Sequence, residues 1–350
     1  VSHPGALVIG NFLSASALNE CVCEELARRL ASGGWPVVTA SNRLGKAARL
    51  VDMVATSWRA RDRYGVAWVD VFSGKAFFWA EAVCWTLRRA GKPYVLMLRG
   101  GSLPDFARRW PGRVRALFGQ ASAVIAPSGY LLEHMRPYRA DLRLIPNALH
   151  LQSYRFKHRR TAAPELVWLR AFHRVYNPSL APAVVADLAQ TWPGIRLSMY
   201  GPDKGDGSLD RVRQRARSLE VEHLIRFCGA VPKSRVPEAM AEGDIFLNTT
   251  DFDNTPVSVL EAMACGLCVV STDVGGIRHL LEDGTDALLA PKGDARALAQ
   301  EIRRILTEPG LAARLSMNAR RKAERFDWSV VFPELDRELR AAAEQRRSTR

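Results

Sequence analysis

The sequence has no run of about 18 uncharged apolar residues, the minimum for a helix that crosses a bilayer. The best candidate, residues 65–87, is broken by Asp70, Lys75 and Glu81. Residues 1–13 lack a basic start followed by a long apolar stretch, and the expectation is a cytoplasmic protein. Cysteine is scarce, with six in 350 residues. One pair, Cys265-Gly-Leu-Cys268, has the spacing of a redox or zinc half-site. It straddles an expected helix stop and a buried strand, however, where cysteine serves as a small hydrophobe. Cys21 and Cys23 are the other close pair, at a less usual ligand spacing. No G-x-G-x-x-G follows the first strand, which argues against a dinucleotide-binding oxidoreductase. Acidic residues are outnumbered, 36 against 50 Lys and Arg, for a net charge of +14. The imbalance lies in residues 1–150, where 20 basic residues face 10 acidic ones. Such a surface attracts anionic lipid, anionic glycan or nucleic acid through long-range electrostatics. Without a recognisable groove-reading module, nucleic acid is not expected as a partner.

What is present is strand and helix in alternation, in a chain long enough for two cores of roughly 150 residues. In the first half, strands are expected at 6–9, 37–41, 68–71, 93–98, 123–126 and 142–145. Helices are expected at 18–30 and 75–89, with a further one over 129–135 capped by Ser128. The first strand runs into Gly10-Asn11-Phe12-Leu13-Ser14, a strand-to-helix turn. The basic, turn-rich stretch 153–164 reads as a linker, with the boundary near 155–163. The second half repeats the alternation: strands at 166–169, 195–200, 225–229, 244–248 and 268–272, and helices at 210–218, 236–242 and 294–306. A closing helical region starts at Phe326-Asp-Trp328, and the charged tail from Ala341 is expected to fray. The fold class is α/β, with two doubly wound, Rossmann-like parallel-sheet domains at 1–155 and 163–328.

The stretch that speaks of chemistry is 248–276, NTTDFDNTPVSVLEAMACGLCVVSTDVGG. It reads as acidic loop, helix, turn, buried strand and glycine loop. The Thr255 hydroxyl is expected to cap the helix, Pro256 to take its first position and Gly266 to stop it in a left-handed conformation. Asp253 lies before the cap and Glu261 eight residues on, so both carboxylates flank the helix N-terminus. That terminus offers free amides and the positive end of a dipole, suited to a diphosphate. Gly275 and Gly276 let backbone approach such an anion without a Cβ in the way. Asn254, Thr255 and Pro256 then count among the ligand contacts. A ligand with phosphates at its centre and hydroxyls at both ends is a nucleotide sugar.

These residues resemble the acid-x7-Glu signature of family 4 (group 1) retaining glycosyltransferases, and the similarity extends through most of residues 4 to 332. The resemblance implies the GT-B fold, with two domains facing across a cleft, the acceptor on the first and the donor on the second. It places Asp253, an Asp where the family usually has Glu, near the donor sugar, and Glu261 on the nucleotide ribose. It implies that Arg170 neutralises the donor diphosphate. The lysine usual about five residues later has no clean match, and Arg174 or Lys204 could substitute. The loop 230–232 is implied to border the base through Val231, and the turn after the first strand makes Gly10 a candidate contact. In Arg99-Gly100-Gly101, Arg99 stands where the family commonly has His. An arginine is permanently cationic and only donates, so it could clamp a carboxylate or phosphate but cannot act as a base. Pro146-Asn147-Ala148 resembles the family's handover segment. The closing helix, about 329–345, is implied to pack back onto the first domain.

The expected activity is retaining transfer of a sugar from a nucleotide-sugar donor to a hydroxyl acceptor, in cell-surface polysaccharide or glycolipid synthesis of bacterial type. The expected partners are a glycan or lipid-linked acceptor and an anionic membrane touched peripherally, on its inner face. No cofactor and no metal are expected, since cationic side chains and amides can neutralise the diphosphate. The lone Asp-x-Asp, Asp251-Phe-Asp253, belongs to the signature. The alternatives are a nucleotide-sugar epimerase or phosphorylase on the same scaffold, or a non-catalytic basic binding protein descended from it.

Overall fold

The computed structural model describes residues 3–13 and 22–345. Ser14, Cys21 and the expected first turn of the first helix, 18–21, lie outside the described residues, as do 346–350 of the tail. The chain divides into two compact units, Val1–Ala148 with Ser329–Arg350, and Leu149–Trp328.

The first unit runs β1 (Ala6–Ile9), α1 (Val22–Ser32), β2 (Val37–Ala40), α2 (Lys46–Arg59), β3 (Val66–Val71) and α3 (Phe77–Arg89). It continues with β4 (Tyr94–Leu98), α4 (Leu103–Arg109), α5 (Pro111–Gly119), β5 (Ala123–Ala126), α6 (Gly129–Met135) and β6 (Arg143–Leu144). Its six strands lie parallel in the order β2-β1-β3-β4-β5-β6. Leu7 of β1 stands opposite Val38 on one side and Ala67 on the other. The chain therefore winds outward in both directions from β1, and the switch point lies between β1 and β3. Apolar runs such as Tyr94–Leu98 are buried throughout, as a sheet covered on both faces requires. Ser128 caps α6 by accepting from the Leu131 amide at 3.1 Å, as its position before the helix leads one to expect.

The second unit runs β7 (Glu165–Leu169), α7 (Leu180–Ala189), β8 (Arg196–Tyr200), α8 (Ser208–Ser218), β9 (Ile225–Gly229) and α9 (Val236–Ala241). Then come β10 (Ile245–Asn248), α10 (Val257–Cys265), β11 (Cys268–Thr272), α11 (Ile277–Leu280), β12 (Leu288–Ala290), α12 (Ala295–Thr307) and α13 (Leu311–Glu324). The six parallel strands are ordered β12-β11-β10-β7-β8-β9, so this sheet switches direction between β7 and β10. One face packs Trp168, Leu197 and Ile302, the other Phe246, Leu260 and Met263. Full burial of such a side chain stabilises by about 1.5–3 kcal/mol.

Two local expectations are corrected. The second unit begins at Leu149, before the stretch read as a linker. Leu149 and Tyr154 are buried in its core, and the Leu149 amide donates to Phe326 O at 2.7 Å while Trp328 N returns to Leu149 O at 3.1 Å. Arg159, which reads as surface charge, is 2% exposed. Its guanidinium donates to Lys157 O at 2.7 Å and Gly243 O at 2.9 Å, and also to Cys265 O and the Asp244 carboxylate. The stretch is thus bolted to β10 and the end of α10. At the other end, α14 (Trp328–Gln345) continues into the first five residues of the tail expected to fray, with Ala342 and Ala343 buried.

Candidate functional site

In an open parallel sheet, ligands gather beyond the carboxyl ends of the strands at the switch point. In the second unit that place is framed by the loops after β7 and β10, and the two loops are tied together. Thr249 Oγ1 accepts from Trp168 Nε1 at 3.0 Å and donates to Tyr176 O at 2.9 Å. The Asp251 amide donates to Val175 O at 2.8 Å, and Asn177 Nδ2 donates to Asp251 Oδ1 at 3.1 Å. Arg170, the first residue after β7, is thereby brought to Asp253, and their side chains form an ion pair. Tyr176 lies under the guanidinium, its ring centroid 4.5 Å from Cζ. Arg170 Nε is buried and meets no acceptor among the described residues. Burial pulls the Arg170 pKa below its usual value, and Tyr176 and then Glu261 pull the other way. Arg170 is therefore paired with Asp253 and lies within the field of Glu261.

The helix α10 starts and stops within a residue of the sequence expectation. Gly266 ends it at φ +75°, where a Cβ would lie 2.6 Å from the Phe156 ring and 2.7 Å from Lys157 O. Its entrance differs: Pro256, in extended conformation, is the N-cap, no side chain caps the helix, and Thr255 stays in the preceding loop. The Val259 amide reaches Pro256 O at 3.1 Å, while Val257 and Ser258 precede that first closure. Ser258 is buried, and its hydroxyl has no partner among the described residues.

The paired glycines serve a different neighbour from the one expected. The Gly276 amide donates to Asp253 O at 2.8 Å. A Cβ on Gly276 would sit 1.6 Å from Asn254 O, and one on Gly275, at φ +51°, would sit 2.4 Å from Asp253 O. The glycines thus let the 253–254 backbone lie against the β11–α11 turn. The Gly276 N–H is already engaged by protein. Asp253 is fixed from within as well, since its Oδ1 accepts from the Asn254 amide at 2.8 Å.

Glu261 is 2% exposed, one turn inside α10. Its Oε1 accepts from Tyr154 Oη at 2.9 Å and pairs with Lys233 Nζ. Burial first, and the Glu261 charge second, raise the Tyr154 pKa, so the phenol remains a donor. Sequence reasoning missed both partners. Tyr154 lay in the presumed linker, and Lys233 lies two residues beyond Val231, which is half-buried at the edge of the second unit's core. The side chains of Arg174 and Lys204 are exposed. Their backbones are ordered, with Arg174 N donating to Asp206 Oδ2 at 2.9 Å and Lys204 N to Phe172 O at 3.2 Å. Cys265 and Cys268 are buried, and burial pushes both thiols up to about 12, far from the reactive range.

Gly10, Arg99, Gly100 and Gly101 belong to the first unit. Arg99, at the end of β4, already has a carboxylate: its Nε lies 3.2 Å from Asp70 Oδ1, and its Nη1 donates to Asn147 Oδ1 at 2.6 Å. Its buried Nη2 has no partner among the described residues. Asp70 also accepts from Trp68 Nε1 at 3.0 Å. A cavity of about 260 Å³ opens at the β1/β3 switch point, lined by Gly10, Asn11, Arg49, Asp70 and Trp79 among others. Gly10 is needed there, because a Cβ would meet Cys23 Sγ at 2.6 Å. Gly100, at φ +80°, is exposed with open space around it.

Comparison with known proteins bears on this arrangement. Residues 152–322 match the family model "Glycosyl transferases group 1". The chain is 26% identical over 270 residues, 71% of its length and 59% of the relative's, to a D-inositol 3-phosphate glycosyltransferase of Streptomyces bingchenggensis. Among the curated relatives it matches, the chain spans between 30% and 59% of their length. Among solved structures, sucrose-phosphate synthase from Thermosynechococcus elongatus superimposes with a TM-score of 0.78 at 18% identity, over 97% of this chain and 98% of that one. Anabaena Alr3699/HepE in complex with UDP-glucose gives 0.73 at 19% identity, over 97% and 100%. At such identities the likeness is one of fold. The chain therefore has the GT-B fold, and its residues 152–322, just under half of it, are similar to group 1 glycosyl transferases.

Proposed function

We propose that this protein is a retaining glycosyltransferase of family 4 that takes a nucleotide sugar as donor. The observation that carries the reading is the cluster at the β7/β10 switch point, where a buried guanidinium with an unmatched N–H is paired with Asp253 before α10 and feels the charge of Glu261 one turn inside it. Arg170 and Asp253 are ion-paired with each other. A donor exchanges that pair: Arg170 turns to the diphosphate, joined by the first amides of α10 and the Ser258 hydroxyl, and Asp253 is freed for a sugar hydroxyl. Glu261, held in place by Tyr154 and Lys233, takes the ribose hydroxyls. Lys233 adds a cation to the two candidates, Arg174 and Lys204, for the second diphosphate ligand.

In the reaction the bond from the anomeric carbon to the diphosphate oxygen breaks and its electron pair stays on the leaving group. The acceptor oxygen bonds to the anomeric carbon, and its proton passes to the departing nucleoside diphosphate. Donors that are already oriented stabilise that developing charge without reorganising, which is where electrostatic catalysis is strongest. Cations and amides suffice for this, so the reading needs no metal. The bound UDP-glucose in the Anabaena neighbour supports a donor of this class. The basic first half supports a glycan or lipid-linked acceptor at the inner face of an anionic membrane, in polysaccharide or glycolipid synthesis.

The test is a panel of UDP-, GDP- and dTDP-sugars scored by thermal stabilisation, and then by nucleotide release with the donor that stabilises. One donor class should raise the melting temperature and be hydrolysed or transferred, and Glu261→Ala should abolish both effects while the protein stays folded. Full activity in Glu261→Ala, or no response to any donor, would count against the assignment. A free epimer formed without acceptor would instead favour an epimerase.

A further inference from the structure

Among the described residues eight large apolar side chains stand exposed, and six of them, Leu44, Val51, Trp58, Phe78, Trp85 and Trp110, fall between positions 44 and 110. They are not scattered. Val51, Val54 and Trp58 follow helical spacing on α2, as do Phe78, Ala82, Trp85 and Arg89 on α3. Between these helices and α5 runs a groove of about 540 Å³, lined by Val54, Phe78, Trp85, Arg88, Arg113 and Leu117 among others. Each indole also carries a guanidinium. Arg61 lies 4.9 Å from the Trp58 ring centroid, Arg89 4.8 Å from that of Trp85, and Arg109 5.8 Å and Arg113 6.0 Å from that of Trp110.

Residues 43–120 hold fifteen Lys and Arg against five Asp and Glu. Three of those acids, Asp70, Glu81 and Asp105, are already paired with Arg99, Arg113 and Arg108. The face is therefore apolar and cationic together. An aromatic face open to water marks an interaction site, and this one asks for an occupant with anionic charge at its surface and apolar depth beneath. A bilayer of anionic phospholipid has both in that order. Tryptophan favours the level of the headgroups, and arginine can hold its stem in the apolar layer while its head stays with phosphate.

We propose that the face formed by α2, α3 and α5 seats on an anionic phospholipid bilayer, with Trp58, Phe78 and Trp85 entering the headgroup boundary and the neighbouring arginines at the phosphates. The proposal rests on the membrane-side acceptor read above and fixes which surface makes the contact. None of these residues belongs to the donor cluster.

The experiment is co-sedimentation of the full chain with vesicles of phosphatidylcholine alone and of phosphatidylcholine with phosphatidylglycerol, beside hydrolysis of the donor in the absence of vesicles. The protein should bind the anionic vesicles, weakly or not at all the neutral ones, and less as salt rises. Trp58→Ser/Phe78→Ser/Trp85→Ser should weaken partitioning at least about tenfold, and Arg88→Glu/Arg89→Glu should do the same without touching an aromatic ring. Both variants should keep the parent's melting temperature and donor hydrolysis. Unchanged partitioning in both variants overturns the proposal, as does absence of binding in the parent. So does a concentration-dependent dimer in sedimentation velocity that the same substitutions abolish, because the occupant would then be a second copy. If the parent hydrolyses no donor yet its vesicle binding follows the variants, the glycosyl-transfer reading falls and the membrane face stands.

Discussion

Replacing Gly276 with alanine separates position from chemistry at the proposed donor site. The residue sits at φ −79°, ψ −6°, where alanine is at ease, so any effect must come from the space its methyl group needs. That methyl would lie 1.6 Å from Asn254 O and 2.6 Å from Asn254 C, against a floor of 3.0 Å for real contacts. The 253–254 backbone must therefore retreat by about 1.5 Å, stretching the 2.8 Å bond from the Gly276 amide to Asp253 O. Overpacking of this kind destabilises by about 1–3 kcal/mol. In a unit of this size that lowers the melting temperature by roughly 2–12 °C. A displacement near 1 Å at a positioning residue lowers turnover on the order of a hundredfold, so kcat/KM for donor hydrolysis or transfer should fall by about that factor or more. Thermal melts and steady-state kinetics on the same preparation provide both readouts. Gly194→Ala, which meets nothing within 4 Å, should leave both unchanged. If Gly276→Ala melts lower but keeps kcat/KM within about threefold of the parent, the loop it displaces is not part of the reacting site and the reasoning fails.

Three other outcomes are expected. Arg159→Met strips Gly243 O of its donor and takes one donor from Cys265 O, which keeps the Lys157 amide, and one from the Asp244 carboxylate, which keeps Lys157 Nζ and the Ala163 amide. It should destabilise the second unit by about 1–3 kcal/mol in chemical denaturation, and a loss below about 0.5 kcal/mol would refute the clamp. In the proposed reading Arg170, the helix amides and the neighbouring cations neutralise the diphosphate, so EDTA dialysis should leave turnover unchanged; an activity lost on chelation and restored by a divalent ion would overturn that proposal. The Asp206 carboxylate, bonded by Ser208 and by the Arg174 amide, is held down at about 2 instead of its usual 3.8. Since the folded state favours the ionised form, its contribution is present above the usual value and lost as pH falls through about 2. Carboxyl NMR titration should find that midpoint, and one near the usual value would contradict the bonding described.

Much of the donor loop could be read in advance because its grammar is local. Gly266 stops α10 in the left-handed region, and Cys268–Thr272 forms a buried strand, both dictated by neighbours in sequence. The acid pair was legible as a pattern, and Arg170 through the family resemblance. What escaped depends on distant contacts. Tyr154 reaches Glu261 across 107 residues and Lys233 reaches it across 28. Arg159 looks like a solvated charge in a basic stretch until the carbonyls that surround it are seen. The Thr255 cap failed for a related reason. The loop before α10 is drawn to Gly275 and Gly276 by a long-range backbone bond, so helix-entry rules do not govern it alone. Arg99 was noticed as unusual, but the carboxylate it meets, Asp70, lies on another strand.

The backbone bonds joining Leu149 to Phe326 and Trp328 have a consequence for how this molecule could be rebuilt. A stretch of polypeptide whose first and last residues hydrogen-bond to each other closes on itself and relies on no outside anchor for its ends. Leu149–Trp328 has the layout of a cassette inserted into a host sequence that resumes at Ser329. Such a cassette lends itself to excision, to transplantation between hosts, and to having its two ends spliced while a new opening is cut at a surface turn such as Gly284.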